Sequence, residues 1–161
     1  MRAWLFAALI AGVPVAASAL SCMPYSVEAA YLEAQADEAR FVIVRGHLDF
    51  DAALLPKVDH SSQRATPELT LIDAKLRGKS LSAAGFAIPF SKPVTLAVAC
   101  YGPWCASAPQ GSEVLAFVQL GAQGDTIATN PCGGYLFAAP TFKMIRAVKA
   151  CFSGKACVPI R

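Results

Sequence analysis

Three side chains able to hold a divalent ion or move a proton alternate in the stretch HLDFD: His47, Asp49 and Asp51. In an extended chain, residues two apart share a face, so the three would stand side by side. An imidazole beside two carboxylates can ligate a divalent cation or act in general acid/base catalysis. Asp59 and His60 follow in the next polar stretch. The same alternation is also what a half-solvated strand requires, with polar groups out and apolar groups in, and this reading takes precedence. His47, Asp49 and Asp51 therefore stand as the alternative, metal-binding or enzymatic candidate. No catalytic residue, cofactor or further metal ligand is assigned.

The six cysteines, Cys22, Cys100, Cys105, Cys132, Cys151 and Cys157, form the second chemical set. None belongs to a Cys-x-x-Cys pair and no histidine completes a zinc site. CYGPWC spaces its cysteines too widely for the redox motif and reads as a structural clip. An even number of cysteines in an exported chain points to disulfides, although spacing alone leaves their connectivity open. Trp104 lies inside the CYGPWC clip, where a tryptophan on a stapled loop is a candidate partner contact; capping the sheet is the alternative use of the same ring. Ser107 and Ser112 lie outside any Gly-x-Ser-x-Gly elbow.

Export is read from MRAWLFAALIAGVPVAASA. Arg2, an apolar run from Trp4 to Val15, and the small residues Ala17, Ser18 and Ala19 make a secretory signal peptide, residues 1–19, cleaved after Ala19. The run is shorter than the roughly 20 apolar residues of a membrane span. The mature chain, 20–161, is expected to begin Leu20-Ser21-Cys22, to carry no transmembrane segment and to form one domain in the periplasm or outside the cell. Lipid anchoring at Cys22 is the less favoured alternative, because Ala19 stands where lipidation expects a large aliphatic residue. Loss of Arg2 lowers the formal charge from +3 to +2, too small a balance to indicate nucleic acid.

The elements that would position these groups follow from pattern. Ser26 precedes VEAAYLEAQADEA, an amphipathic helix with a serine N-cap and Glu28 in its first turn. RFVIVRGHLDF is a strand in which Gly46 predicts a bulge or sharp bend. AALLPKVDHSSQRATP reads as a loop and ELTLIDAKLRG as a second strand. GKSLSAAGFAIPF predicts a turn and a short or irregular strand, and PVTLAVACY a separate strand beginning after Pro93. EVLAFVQLG and GDTIATN are joined by hairpin chemistry at Gly121 to Gly124. PTFKMIRAVKACFSG closes the chain as a helix, with Phe142, Ile145, Val148 and Phe152 at helical spacing and Gly154 as its stop. The class is mainly β: a five- or six-stranded OB-type barrel flanked by an N-terminal and a C-terminal helix.

Several motifs together resemble the netrin-like, or tissue-inhibitor-of-metalloproteinases-like, module: Cys22-Met23-Pro24 before a helix, FVIVRGHL, ELTLIDAKLRGKS, VACYG, and EVLAFVQLGAQGDTIATNPC. The resemblance covers residues 22 to 152. It implies an OB-type barrel and the pairs Cys22–Cys132, Cys100–Cys105 and Cys151–Cys157; Cys22–Cys100 is also compatible with it, but would leave Cys105 needing another partner. In the metalloproteinase inhibitors a terminal cysteine chelates the target's zinc through its α-amine and carbonyl. Here the expected terminus lies two residues earlier and Leu20 replaces the first cysteine of the family's Cys-x-Cys start, so nothing would hold a chelating terminus rigid.

The C-terminal segment carries Lys143, Arg146, Lys149, Lys155 and Arg161 with no acid after Asp125. It reads first as a solvated face and second as a contact for lipid headgroups, a polyanionic glycan or an acidic protein. The sequence thus describes an exported, disulfide-stabilised, non-enzymatic binding or structural module. Its partner would be a protein or an anionic surface ligand, with Cys22, Met23, Pro24 and Trp104 as contacts. The first alternative is a protease-inhibitor-like protein acting through the N-terminal ridge and the Trp104 loop.

Overall fold

Ser26 caps the first helix, α1 (Val27–Ala36), its hydroxyl accepting from the Ala29 amide at 3.4 Å. That contact satisfies one of the amides a helix start leaves unpaired. The fold is that of a computed structural model that describes residues 20–58 and 65–159; the expected signal peptide, residues 1–19, and Asp59, His60 and Arg161 lie outside the described residues. α1 ends before the acidic DEA stretch, because the Asp37 carboxylate accepts from the Ala39 amide at 2.8 Å and turns the backbone outward.

Eight strands follow: β1 (Arg40–Phe50), β2 (Leu69–Ser82), β3 (Gly85–Tyr101), β4 (Trp104–Cys105), β5 (Glu113–Leu120), β6 (Thr126–Asn130), β7 (Gly133–Gly134) and β8 (Leu136–Ala138). A single 3-10 turn, Ala52–Leu54, follows β1, and α2 (Phe142–Phe152) ends the order. The strands form one mainly antiparallel sheet. β1 pairs with β2 and β5, β2 with β3, and β5 with β6 and β8. β6 also pairs in parallel with β3, Thr95–Val98 against Thr126–Thr129.

Two sequence expectations change here. β1 keeps an unbroken register through Gly46, which lies opposite Gly78. A Cβ on either glycine would run into the facing backbone, at Arg77 or Arg45, so the pair serves close strand approach and not a bulge. The irregularity sits instead at Ser80/Leu81. The second change joins the irregular strand and PVTLAVACY into one 17-residue strand, β3. Pro89 and Pro93 are tolerated because they precede Thr95, where β6 takes up the second edge; before that point a missing N–H costs no ladder bond.

Two apolar clusters explain the contiguous hydrophobic runs. One lies between inward strand faces and includes Val44, Leu48, Ile72, Leu96, Val118 and Ile127. The other lies between the opposite face and the helices, with Val27, Ala30, Ile43, Phe117, Ile145 and Val148. β1 and β5 contribute to both, so FVIV and VLAFV are apolar on both faces. α2 buries Ile145, Val148 and Cys151, while Phe142 and Phe152 remain exposed despite their helical spacing. Gly154, at φ 73°, ends it in a Schellman turn: the Gly154 amide donates to the Cys151 carbonyl and the Lys155 amide to that of Ala150.

Candidate functional site

Disulfides join Cys22 to Cys132, Cys100 to Cys105 and Cys151 to Cys157. The first spans 110 residues and ties the N-terminal segment to the turn between β6 and β7. The second clips the β3–β4 hairpin, in which Tyr101 and Trp104 face each other across the Gly102-Pro103 turn. Gly102 has a φ of 60°, a conformation side chains disfavour, and the Trp104 ring lies above it.

These two stapled segments form one end of the sheet. Between them and the stretch Leu55–Val58 runs an open groove of about 610 Å³, to which Leu20, Cys22 and Pro131 contribute on one side and Pro103 to Ser107 on another. Met23, next in the chain to the lining residue Cys22, is 82% exposed, and Trp104 is 40% exposed. Pro24 is exposed as well. Among the described residues lining the groove there is no histidine, carboxylate or basic side chain, so its side-chain chemistry is apolar contact with the hydroxyl of Ser107 at the wall.

Tyr25 fastens the N-terminal segment from behind. Its hydroxyl donates to Glu33 at 2.6 Å, and its ring stacks on Phe137 with centroids 6.1 Å apart. Burial, reinforced by the hydrogen bond and charge of Glu33, holds the Tyr25 hydroxyl well above the ordinary tyrosine range. Burial likewise raises Tyr135, aided by the charges of Glu33 and Asp37. Gly133, at φ 147°, lies against the Tyr25 ring so closely that a Cβ there would meet it. Neither Tyr25 nor Gly133 was a sequence candidate. The third wall, Leu55–Val58, had one visible signal: apolar residues inside an otherwise polar loop.

His47, Asp49 and Asp51 are not gathered into one three-ligand set. His47 is exposed on β1, opposite Arg77 on one side and Glu113 on the other. Asp49 is taken by Arg77 at 3.1 Å. Asp51 lies past the end of β1, where its carboxylate accepts from the Ala53 amide at 2.9 Å and caps the 3-10 turn. Among the described residues, no three His, Cys, Asp or Glu side chains gather where one ion would meet them. Alternation gave two of the three a common face, but the cross-strand arginine and the turn consumed the carboxylates. Nearby, Arg45 holds Glu113 through two hydrogen bonds of 2.8 and 3.0 Å, which raise the guanidinium pKa.

Among the described residues no helix is long and apolar enough to cross a membrane. In comparison with protein-family models, curated proteins and solved structures, the chain has no significant match in any of the three.

Proposed function

We propose that the chain is an exported, non-enzymatic binding module on an OB-type barrel of the netrin-like kind, and that it grips a protein partner at the groove between its N-terminal segment and the Trp104 hairpin. The barrel reading is supported by the pairing cycle β1–β2–β3–β6–β5–β1, in which the parallel β3–β6 contact closes the path. The binding reading is carried by one observation: Leu20 and Cys22, far from Trp104 in sequence, line a single apolar groove with it. Two disulfides preorganise those walls, which lowers the entropy cost of association, and an aromatic anchor beside a groove is the usual centre of binding energy.

The test is a photoreactive side chain placed at Trp104, at Met23 and at Lys75, an exposed position on β2. A discrete adduct of one mass from Trp104 and Met23, missing from Lys75, is expected. The same adducts from all three positions, or none from the first two, would remove the reading.

A second reading has its own observation. Residues 20 to 24 are all exposed, and Leu20 and Cys22 among them line the groove, as a protease-inhibitor-like ridge would. A panel of metalloproteases decides it: inhibition lost on Trp104→Ala supports it, and no inhibition at high micromolar protein removes it.

A further inference from the structure

Away from this groove, α2 presents a second surface with different chemistry. Phe142, Arg146 and Lys149 follow one another on its outward side, at the spacing that stacks side chains along a helix. Phe142 is 74% exposed and belongs to neither apolar cluster, and the Arg146 guanidinium lies over its ring, 5.0 Å from the centroid. The aromatic and the cation are thus presented together.

At the C-terminal end of this row, a cleft of about 580 Å³ opens between α2 and the β2–β3 hairpin. Arg146, Lys149 and Lys155 line it with the hydroxyl-bearing Ser82 and Ser153, and the exposed ring of Phe152 forms part of its wall. Among the described residues no carboxylate lines the cleft and none of the three cations is ion-paired. The carbonyls at the end of α2 do not occupy these cations either, since the amides of Ser153, Gly154 and Lys155 take those of Lys149, Cys151 and Ala150. The surface is bounded: Lys143 turns to a separate small pocket that Glu28 also lines.

We propose that the outward row of α2 and the adjoining cleft form a docking surface for an anionic phospholipid bilayer. The cleft receives headgroup phosphate on Arg146, Lys149 and Lys155, and Phe142 enters the boundary between headgroups and acyl chains. Charge complementarity selects an anionic ligand. The exposed rings select lipid over a polyanionic glycan, which offers no apolar phase for a phenylalanine.

Sedimentation with vesicles tests this on the oxidised protein. Vesicles of phosphatidylglycerol and phosphatidylethanolamine are expected to bind it and vesicles of phosphatidylcholine to leave it in solution, with binding that weakens as salt rises. Each basic side chain at an anionic surface contributes about fivefold in partitioning, so Arg146→Gln with Lys149→Gln lowers binding by about 25-fold. Phe142→Ser lowers it by a further factor of about three, and Trp104→Ala leaves it unchanged. All of these residues are exposed, so the variants keep the parent melting temperature. Equal partition into both vesicle types, or no binding at about millimolar lipid, overturns the proposal. So do phosphatidylglycerol binding that Phe142→Ser leaves intact, loss of binding in Trp104→Ala, and retention by an immobilised sulfated polysaccharide without vesicle binding.

Discussion

Tyr25 connects the candidate groove to the core, and its titration exposes that connection. Burial and Glu33 favour the neutral phenol in the folded chain, so the folded pKa is raised above the unfolded one. The linked stability is fully present below the ordinary tyrosine pKa of about 10 and falls as pH rises beyond it, because the unfolded chain gives up its proton first. Tyr135 acts in the same direction. Urea unfolding should therefore show the parent losing stability between about pH 9.5 and 11. Tyr25→Phe, less stable at neutral pH by about 1 kcal/mol for the lost hydrogen bond, should decline with a shallower slope and close part of the gap. Parallel pH profiles would sink the account. By contrast, Asp49→Asn should change stability by less than about 1 kcal/mol, since the Asp49–Arg77 pair is half-exposed on both sides.

Among the elements, the two disulfides at the groove do unequal work. Closing a loop of 110 residues constrains the unfolded chain by on the order of 4 to 5 kcal/mol in the chain-entropy model, whereas the five-residue separation of Cys100 and Cys105 gives only about 2 kcal/mol. Replacing Cys22 and Cys132 by serine should lower the urea midpoint far more than replacing Cys100 and Cys105. The short clip has a local task, holding Trp104 over Gly102. Trp4 lies before residue 20, so tryptophan emission from a protein of residues 20–161 reports Trp104 alone. Loss of the short clip should shift that emission to the red and raise its quenching by iodide while the far-ultraviolet spectrum stays the same. An unchanged emission would mean that the hairpin holds its tryptophan without the bond.

For the whole molecule, the contact that completes the sheet is β3 with β6. Ile127 on β6 is fully buried in the inner cluster, facing strands from the other side of the sheet. Ile127→Ala should cost about 2–5 kcal/mol in urea unfolding, since rigid strand walls on several sides cannot collapse into the cavity. Leu71→Ala, at an exposed position of β2, should cost less than about 0.5 kcal/mol. A comparable loss at both sites would contradict an inner core shared by β3 and β6. Two surfaces then lie at different places on the protein, an apolar groove around Trp104 and a basic cleft at the end of α2, and their variants should not affect each other because no residue is common to both.

Periodicity and local chemistry were enough for the mainly β class, for Ser26 and Gly154 as helix start and stop, and for the strands at RFVIVRGHLDF, ELTLIDAKLRG, EVLAFVQLG and GDTIATN. These depend on neighbours within a turn or a few residues, so a linear reading contains them. It also marked Trp104 and the N-terminal segment together as candidate contacts, without a geometry that joins them. Only the tertiary structure decided that they line one groove, because their meeting depends on the β6–β7 turn accepting Cys22 and on Gly133 leaving room for Tyr25. It alone decided that Gly46 faces Gly78, that β3 runs unbroken past Pro89 and Pro93, and that Arg77 and the Ala53 amide take the carboxylates of Asp49 and Asp51. Each of those outcomes is set by a partner dozens of residues away or by the turn of the chain beyond a strand's end, and periodicity along one segment carries no information about either.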